Sequence, residues 1–433
     1  DALSIEYLED GTYEVGIHIA DVAHYVLPNT ELDKEAYRRS TSVYLVDRVL
    51  PMLPEKLSNE LCSLRPLEDK LTFSTVFTFD KDDKITKRWF GRTIIHSDKR
   101  FTYEEAQEII ENGSGEFASE LKNLNKLARR LRKVRFRKGA INFETEEVKF
   151  RLDEEGVPME VYVKERKESH LLVEDFMLLA NREVATYIFN KGKSEKNEIP
   201  FVYRIHDEPD PDRVAELVRF AAELGFEMKA NNPQETANAY NKLAEAAEKD
   251  PGLKLLQPLA IRTMAKAVYS AENIGHYGLG FSHYSHFTSP IRRYSDVLAH
   301  RGLAKNLNDS WRTDKENLEE KCKHISRMER RAMDAERESV KYKQVEYLQN
   351  HLGEAFDGFV AGFSERGIFV QLETNFCEGR VSFETMEEPF EVSETRLFIT
   401  GKRSGKVIKM GDKVKIKIAD TDLHKRQITM VFV

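Results

Sequence analysis

The chain has few cysteines and no long hydrophobic run. Its three cysteines, Cys62, Cys322 and Cys377, are far apart and lack CxxC spacing, so the sequence predicts neither a disulfide framework nor a thiolate zinc site. The longest apolar stretches, such as the one around Phe176, are too short to span a membrane, and the N-terminus has no basic region followed by an apolar stretch. These absences favour a soluble protein of a reducing compartment, the cytoplasm, with no membrane partner.

The sequence also has no general excess of positive charge. Its 433 residues carry a net charge of −7 at pH 7, with 40% hydrophobic and 33% charged residues, an ordinary globular composition for two or three domains. The average conceals a local difference, because residues 401–433 contain nine Lys or Arg against three Asp, whereas residues 353–400 contain three Arg against ten acids. A nucleic acid would therefore meet the C-terminal part on one side only; the alternative is a solvated charged face.

The hydrophobic periodicity changes at residue 353. Before it, strand alternation at 13–26, 71–80, 141–152 and 159–166 is mixed with helical patterns at 31–39 and 102–134 and with one long amphipathic helix over 317–350. After Gly353, about five short strands divided by glycines and polar turns predict a small barrel of OB type. We therefore expect an α+β protein: a large mixed domain over 1–350 with a central sheet and packed helices, then an OB-fold domain over 351–433.

The stretch HFTSPIRRYSDVLAHR at residues 286–301 is the most informative about function. Ser289 is a good N-cap and Pro290 suits the first helical position, so a helix is predicted to begin there. Its first turn would hold Arg292 and Arg293 beside the positive end of the helix dipole, which indicates that a phosphate or another anion is bound there. The alternative is that Asp296 pairs with one arginine and Tyr294 belongs to the core.

Six motifs in a fixed order resemble the catalytic domain of the ribonuclease R and ribonuclease II family, ribonuclease R in particular. They are VGIHIADVAHYV at 15–26, TSVYLVDRVLPMLPEKLSNELCSL at 41–64, GAINFETEEVKF at 139–150, LLVEDFMLLANREVA at 171–185, YRIHDEP at 203–209 and HFTSPIRRYSD at 286–296. Members of this family degrade RNA processively from its 3′ end, and the barrel resembles their RNA-binding OB module. The resemblance implies a monomer that binds single-stranded RNA and hydrolyses it with magnesium to nucleoside 5′-monophosphates.

The resemblance also implies roles for individual residues. Asp1 matches the last of four metal-binding aspartates, the other three being expected upstream, and Arg292 matches an arginine that stabilises charge on the transition state. Tyr44 and Phe143 match aromatic residues that stack on bases. Glu336 matches an acid near the catalytic centre. Glu174, rather than Asp175, matches an acid that binds the 2′-hydroxyl of RNA. Arg293 and Tyr294 either contact RNA or brace the helix. In the barrel, Phe369 either matches an RNA-facing aromatic of the family or belongs to the core. Arg366 and Ser382 depart from the family pattern. RNA binding by the barrel would therefore rely on Lys415, with Lys413 and Lys417 on the same face of the strand.

Two alternative functions compete with this interpretation. A non-catalytic RNA-binding protein of the same fold is favoured by the single matching aspartate, since hydrolysis at a magnesium site needs several carboxylates. The second alternative is a zinc enzyme in which His276, His283 and His286 bind the metal, although the sequence has no HExxH spacing to support it. We expect the chain as given to bind single-stranded RNA and to hydrolyse it poorly.

Overall fold

The first half of the chain is organised around a four-stranded antiparallel sheet. The computed structural model describes residues 1–142, 147–250, 253–254, 256–393, 396 and 398–433. The sheet has the order β1-β2-β5-β6, and its connections contain two helices and a small hairpin. The elements are β1 (Ala2–Tyr7), β2 (Tyr13–Ala20), α1 (Val22–Tyr25), α2 (Glu31–Arg39), β3 (Val43–Tyr44), β4 (Val49–Leu50), β5 (Asp69–Phe79) and β6 (Ile85–His96).

Helices cover one face of this sheet and extend to residue 349. They are interrupted by two short antiparallel pairs, β7–β8 and β9–β10. The elements are α3 (Tyr103–Asn112), α4 (Ala118–Arg137), β7 (Val148–Leu152), β8 (Pro158–Val163), α5 (Glu168–Ser194), β9 (Tyr203–Ile205), α6 (Pro211–Glu223), α7 (Pro233–Lys249), α8 (Leu256–Thr263), β10 (Val268–Ser270), α9 (Tyr294–Asn308) and α10 (Lys315–Gln349). None of the helices in the described ranges is both long enough and apolar enough to cross a membrane.

Strand alternation decides which face of the sheet is buried. Val15, Ile17 and Ile19 of β2 point into the main core, where Phe176 of α5 and Val297 of α9 are also fully buried. The opposite face carries small and polar side chains, among them Gly16, Thr72 and Ser74. A separate apolar cluster holds α6, α7 and α8 together, so these three helices form their own packing unit.

The C-terminal region is a closed barrel with the strand order β11-β12-β13-β18-β17. A three-stranded sheet is inserted between its third and fourth strands along the chain. The elements are β11 (Ala355–Ser364), β12 (Gly367–Leu372), β13 (Glu378–Ser382), β14 (Phe390–Val392), β15 (Phe398–Gly401), β16 (Val407–Lys409), β17 (Lys413–Asp422) and β18 (Gln427–Phe432). The expected α+β class with a C-terminal OB-type barrel is confirmed. The predicted division at residue 350 stays a prediction, and α10 contributes side chains to both cores, Leu318 to the first and Leu348 to the second.

The predicted start of the helix at Ser289 is wrong. The helix, α9, begins at Tyr294, and residues 289–293 form a turn in which the Ser289 carbonyl accepts from the N–H groups of Arg292 and Arg293. Arg293 is extended, with φ −134° and ψ 124°, because the segment pairs with the chain before β3: Ser42 N–H donates to the Arg292 carbonyl and Tyr294 N–H to the Ser40 carbonyl. This long-range pairing outweighs the local helix-start signal, so the two arginines precede the helix.

Candidate active-site cleft

A cleft of about 1030 Å³ opens beside the sheet and is lined by residues from both of its faces. Its walls come from β1 and β2, the end of β6 and the segment 97–102 that follows it, helices α3 to α5 and the turn before α9. Three of the predicted site residues line it although they are far apart in the sequence: Asp1, Tyr44 and Arg292.

Arg292 is exposed towards this cleft while its backbone is fixed. Its carbonyl accepts from Ser42 N–H at 3.0 Å and from the Thr41 hydroxyl at 3.2 Å. Its guanidinium donates only to Ser289 Oγ, at 3.2 Å, among the described residues. A cation held in this way, without a carboxylate partner, is suited to bind an anion that enters the cleft.

Arg293 and Tyr294 point away from the cleft and into the protein. Arg293 donates to both carboxylate oxygens of Asp296, at 2.8 and 2.7 Å, and the Tyr294 hydroxyl donates to Asp33 at 2.7 Å. Burial disfavours the charge of Arg293, but the neighbouring Asp296 raises the pKa of Arg293 overall. The structure therefore matches the bracing alternative for both side chains, and neither lines the cleft.

Tyr44 and Glu336 are brought together across 292 residues of sequence. The backbone N–H of Tyr44 donates to Glu336 Oε1 at 2.9 Å, and Val46 N–H donates to Ser339 Oγ at 3.0 Å. Helix α10 thus holds the short strand β3, and the Tyr44 ring, 47% exposed, is left free to face the cleft. Glu336 acts in this structure through its support of Tyr44.

Glu174 does not line the cleft, although Val173, the residue before it on α5, does. Its carboxylate pairs with Arg166 and lies 4.0 Å from Arg135. Asp175 is buried and bound by Arg132 at 2.8 Å, so of the two acids only Glu174 is accessible to a ligand. The predicted stacking residue Phe143 lies outside the described residues.

The predicted barrel residues face a second cleft or the solvent. Phe369 alternates with the buried Ile368 and Val370 on β12 and therefore points out of the barrel. It lines a second cleft, of about 580 Å³, between the barrel and helices α6 and α8. Lys415 is exposed on β17, on the same face as Lys413 and Lys417, and Lys413 lies 3.6 Å from Glu373.

The described residues do not form a magnesium site by themselves. Asp1 lines the first cleft, but no group of three His, Cys, Asp or Glu side chains comes together as metal ligands within the described ranges. One carboxylate is a poor ligand set for a divalent cation that prefers six oxygen ligands. The histidines considered for zinc have other contacts: His286 bonds the Tyr269 hydroxyl at 2.7 Å, and His283 packs on Phe189.

A polar network on the floor of the first cleft was not predicted. His18 bonds Ser4 Oγ at 2.9 Å and Ser74 Oγ at 2.7 Å, and Ser74 contacts Thr93 at 2.5 Å. Burial lowers the pKa of His18 to about 4, so the ring is neutral at pH 7. The alternation of β2 could have indicated it, because His18 stands between the core residues Ile17 and Ile19.

Two domain families match the chain. The RNB domain model matches residues 1–309, and the S1 RNA binding domain model matches residues 351–431. The chain therefore belongs to the RNB domain family and carries an S1 RNA binding domain after it. Ribonucleases of the RNB family depend on divalent metal ions.

Several relatives of the chain are named Ribonuclease R. "Ribonuclease R 1" of Lactococcus lactis is 38% identical over 98% of this chain and 52% of its own length, and the Ribonuclease R of Thermotoga maritima is 38% identical over 100% of this chain and 62% of its own. The chain thus spans about half to two thirds of these relatives. The structure of Mycoplasma genitalium RNase R in complex with ribose methylated single-stranded RNA superimposes with a TM-score of 0.92 at 28% identity, covering 100% of this chain and 68% of that one.

Proposed function

We propose that this chain forms the catalytic and RNA-binding part of a processive 3′-to-5′ exoribonuclease that hydrolyses single-stranded RNA to nucleoside 5′-monophosphates. The observation that carries this proposal is the placing of Asp1, Tyr44 and Arg292 around one cleft. Membership of the RNB family and the similarity to proteins named Ribonuclease R support it.

The two accessible side chains have complementary tasks in this proposal. Tyr44 stacks on a base near the 3′ end, a contact that tolerates every base and stabilises binding by about 1–3 kcal/mol. Arg292 binds the phosphate that joins the last two nucleotides, and its planar guanidinium neutralises charge that develops on the phosphate oxygens. Attack of water on phosphorus forms the new P–O bond and breaks the bond to the 3′ oxygen, which takes a proton and remains on the shortened RNA. The released nucleotide therefore keeps its 5′ phosphate.

Magnesium is the divalent ion that we propose for this reaction, and Asp1 is the carboxylate that this chain would contribute to its binding. The described residues supply too few ligands to hold the ion alone, so the chemistry assigned to the chain is RNA binding, base stacking and stabilisation of phosphate charge.

The experiment compares the 1–433 polypeptide with the full-length product of its gene, referred to below as the natural protein. Each is incubated with magnesium and single-stranded RNA labelled at its 5′ end, and the products are identified by chromatography. We expect shortening from the 3′ end and 5′-monophosphates from the natural protein, with RNA binding but slow hydrolysis by residues 1–433. Products with a 3′ phosphate would contradict the mechanism; RNA binding without shortening by the natural protein would favour the non-catalytic alternative.

The stacking assignment is tested with two substitutions at one position. Tyr44→Ala should weaken binding of single-stranded RNA by about 1–3 kcal/mol, roughly 5- to 150-fold, because the stacked ring is removed. Tyr44→Phe keeps the ring and should bind like the unchanged chain in a fluorescence anisotropy titration. Equal affinity of all three proteins would exclude stacking on Tyr44.

A further inference from the structure

One exposed face of α10 carries five cations. Lys323, Arg327, Arg330, Arg337 and Lys341 follow one another at intervals of four, three, seven and four residues, which places them on one side of a helix. We call these five residues the α10 stripe. At about 1.5 Å per residue the stripe is about 27 Å long, which is long enough to follow several phosphates of an extended strand.

The cations of the α10 stripe are exposed and have no ion-pair partner among the described residues. Neighbouring acids of the same helix are bound elsewhere: Glu329 pairs with Arg204 at 2.6 Å, and Glu338 pairs with Arg426 of the barrel. Asp334 is the acid that interrupts the stripe. The chain as a whole has a net charge of −7, yet these cations are not paired within the described ranges, so the stripe is a local concentration of positive charge.

The last cation of the α10 stripe interacts electrostatically with an acid of the second cleft. Glu378 of β13 lines that cleft together with Phe369, Arg213 and Arg262. Burial raises the pKa of the Glu378 carboxyl, and the nearby cations Lys341 and Arg262 oppose this shift. Lys341, the last residue of the stripe, therefore acts on the charge of an acid that lines the same cleft as the outward-facing Phe369.

We propose that the α10 stripe binds the phosphates of single-stranded RNA, 5′ to the segment held in the clefts, without reading its sequence. This inference rests on the proposed function, because an RNA whose 3′ end enters the first cleft must leave its 5′ part outside. Three features select RNA as the occupant: the charge is of one sign with a single interruption, it is unpaired among the described residues, and its last cation, Lys341, interacts with an acid of a cleft that the aromatic Phe369 lines. Contacts to phosphates alone are independent of base identity.

The test removes three cations that precede Glu336 by at least six residues and point to a different side of α10. The stripe variant is Lys323→Gln, Arg327→Gln and Arg330→Gln, since Gln keeps helix propensity and length. The control variant is Lys122→Gln, Lys126→Gln and Lys133→Gln on α4, three cations that are equally exposed and likewise have no ion-pair partner in the described part of the chain. Both variants change the net charge by the same amount.

Affinity is measured with oligouridines of about 8 and about 30 nucleotides, the first being of the size that one OB fold covers, over a range of salt concentrations. For the long RNA, the negative slope of log affinity against log salt should become shallower by about 2 in the stripe variant. Each phosphate contact on a single strand contributes about −0.7 to this slope, and the variant removes three cations. The short RNA and the control variant should keep the slope of the unchanged chain. Urea unfolding midpoints establish that each variant is folded.

The outcomes separate this inference from the proposed function. An unchanged slope for the long RNA, with the short RNA still bound, would overturn the α10 stripe as an RNA site and leave the first cleft intact; an acidic protein would then be the alternative occupant. Equal losses in both variants would also overturn it, because they would show that net charge alone matters. Failure of the unchanged chain to bind the short RNA would contradict the proposed function itself.

Discussion

Two neighbouring arginines have opposite environments. Arg292 is exposed to the first cleft and bonds only Ser289 among the described residues, whereas Arg293 is buried and forms two bonds to Asp296. The extended backbone at Arg293 is the cause, since successive side chains of an extended segment point to opposite sides. One residue is therefore available to a ligand while the next fixes the turn that presents it.

Arg292→Lys should reduce turnover of the natural protein far more than its affinity for RNA. Lysine keeps the positive charge but loses the planar fork that fits the developing charge on phosphate, and loss of one oriented donor costs about 3 kcal/mol, or about 10²-fold in kcat. The measurement is a single-turnover rate beside an RNA titration. Arg137→Lys, at an exposed position of α4 that lines neither cleft, is the control. Parallel losses of rate and affinity in Arg292→Lys would mean that Arg292 binds the substrate rather than the transition state.

At the scale of elements, the first cleft depends on contacts among three segments: helix α10, strand β3 with the chain before it, and the turn that carries Arg292. Helix α10 binds β3 through Glu336 and Ser339, and the chain before β3 pairs with the turn that carries Arg292. Asp296 of α9 closes this arrangement: it accepts Ser289 N–H at 2.7 Å besides its two bonds from Arg293. The position of Arg292 is thus a property of the whole assembly of segments.

Asp296→Asn should lower the free energy of unfolding by about 3–5 kcal/mol, because it leaves the buried Arg293 without its counter-charge. Urea unfolding at pH 7 measures the effect. Asp334→Asn, an exposed acid with no ion-pair partner within the described ranges, is the control and should change the value by less than about 0.5 kcal/mol. A similar small change in Asp296→Asn would show that solvent reaches Arg293 and that the turn is not fixed by this pair.

At the scale of the whole molecule, several histidines are buried in their neutral form. Burial lowers the pKa of His276 to about 3 and lowers those of His286 and His300, with nearby cations adding to the effect at His286. The unfolded chain takes up protons at these positions near pH 6.5, and the folded chain does so only at lower pH. Acid should therefore unfold the protein through these residues.

The contribution of these histidines to the free energy of unfolding should be constant above pH 6.5. Below pH 6.5 the free energy of unfolding should decrease by about 1.4 kcal/mol per pH unit for each histidine that stays neutral in the folded chain. Urea unfolding at about pH 7.5, 6.5 and 5.5 measures this slope. His286→Gln should make the slope between pH 6.5 and 5.5 shallower, whereas substitution of the exposed His424 by Gln should not. A slope that is the same in all three proteins would exclude buried histidines as the cause.

The sequence by itself determined the features that depend on local periodicity. The alternation of β12 and β17 fixed the core of the barrel and the outward faces with Phe369 and Lys415, and the apolar stripe of residues 317–350 predicted α10, which runs from Lys315 to Gln349. These patterns are reliable because each residue's face follows from its neighbours in the same strand or helix. The ordered motifs likewise indicated the family without any knowledge of contacts.

Only the tertiary structure decided which candidates share a site. The start of α9 moved from Ser289 to Tyr294 because residues 40–42 supply backbone partners from some 250 positions away, and no local pattern reports such pairing. The same holds for the bond between Tyr44 and Glu336, for the separation of Arg292 from Arg293, and for the neutral His18 on the floor of the cleft. Sequence gives each residue its chemistry and its local face, but partners, burial and the resulting charge depend on contacts between distant segments.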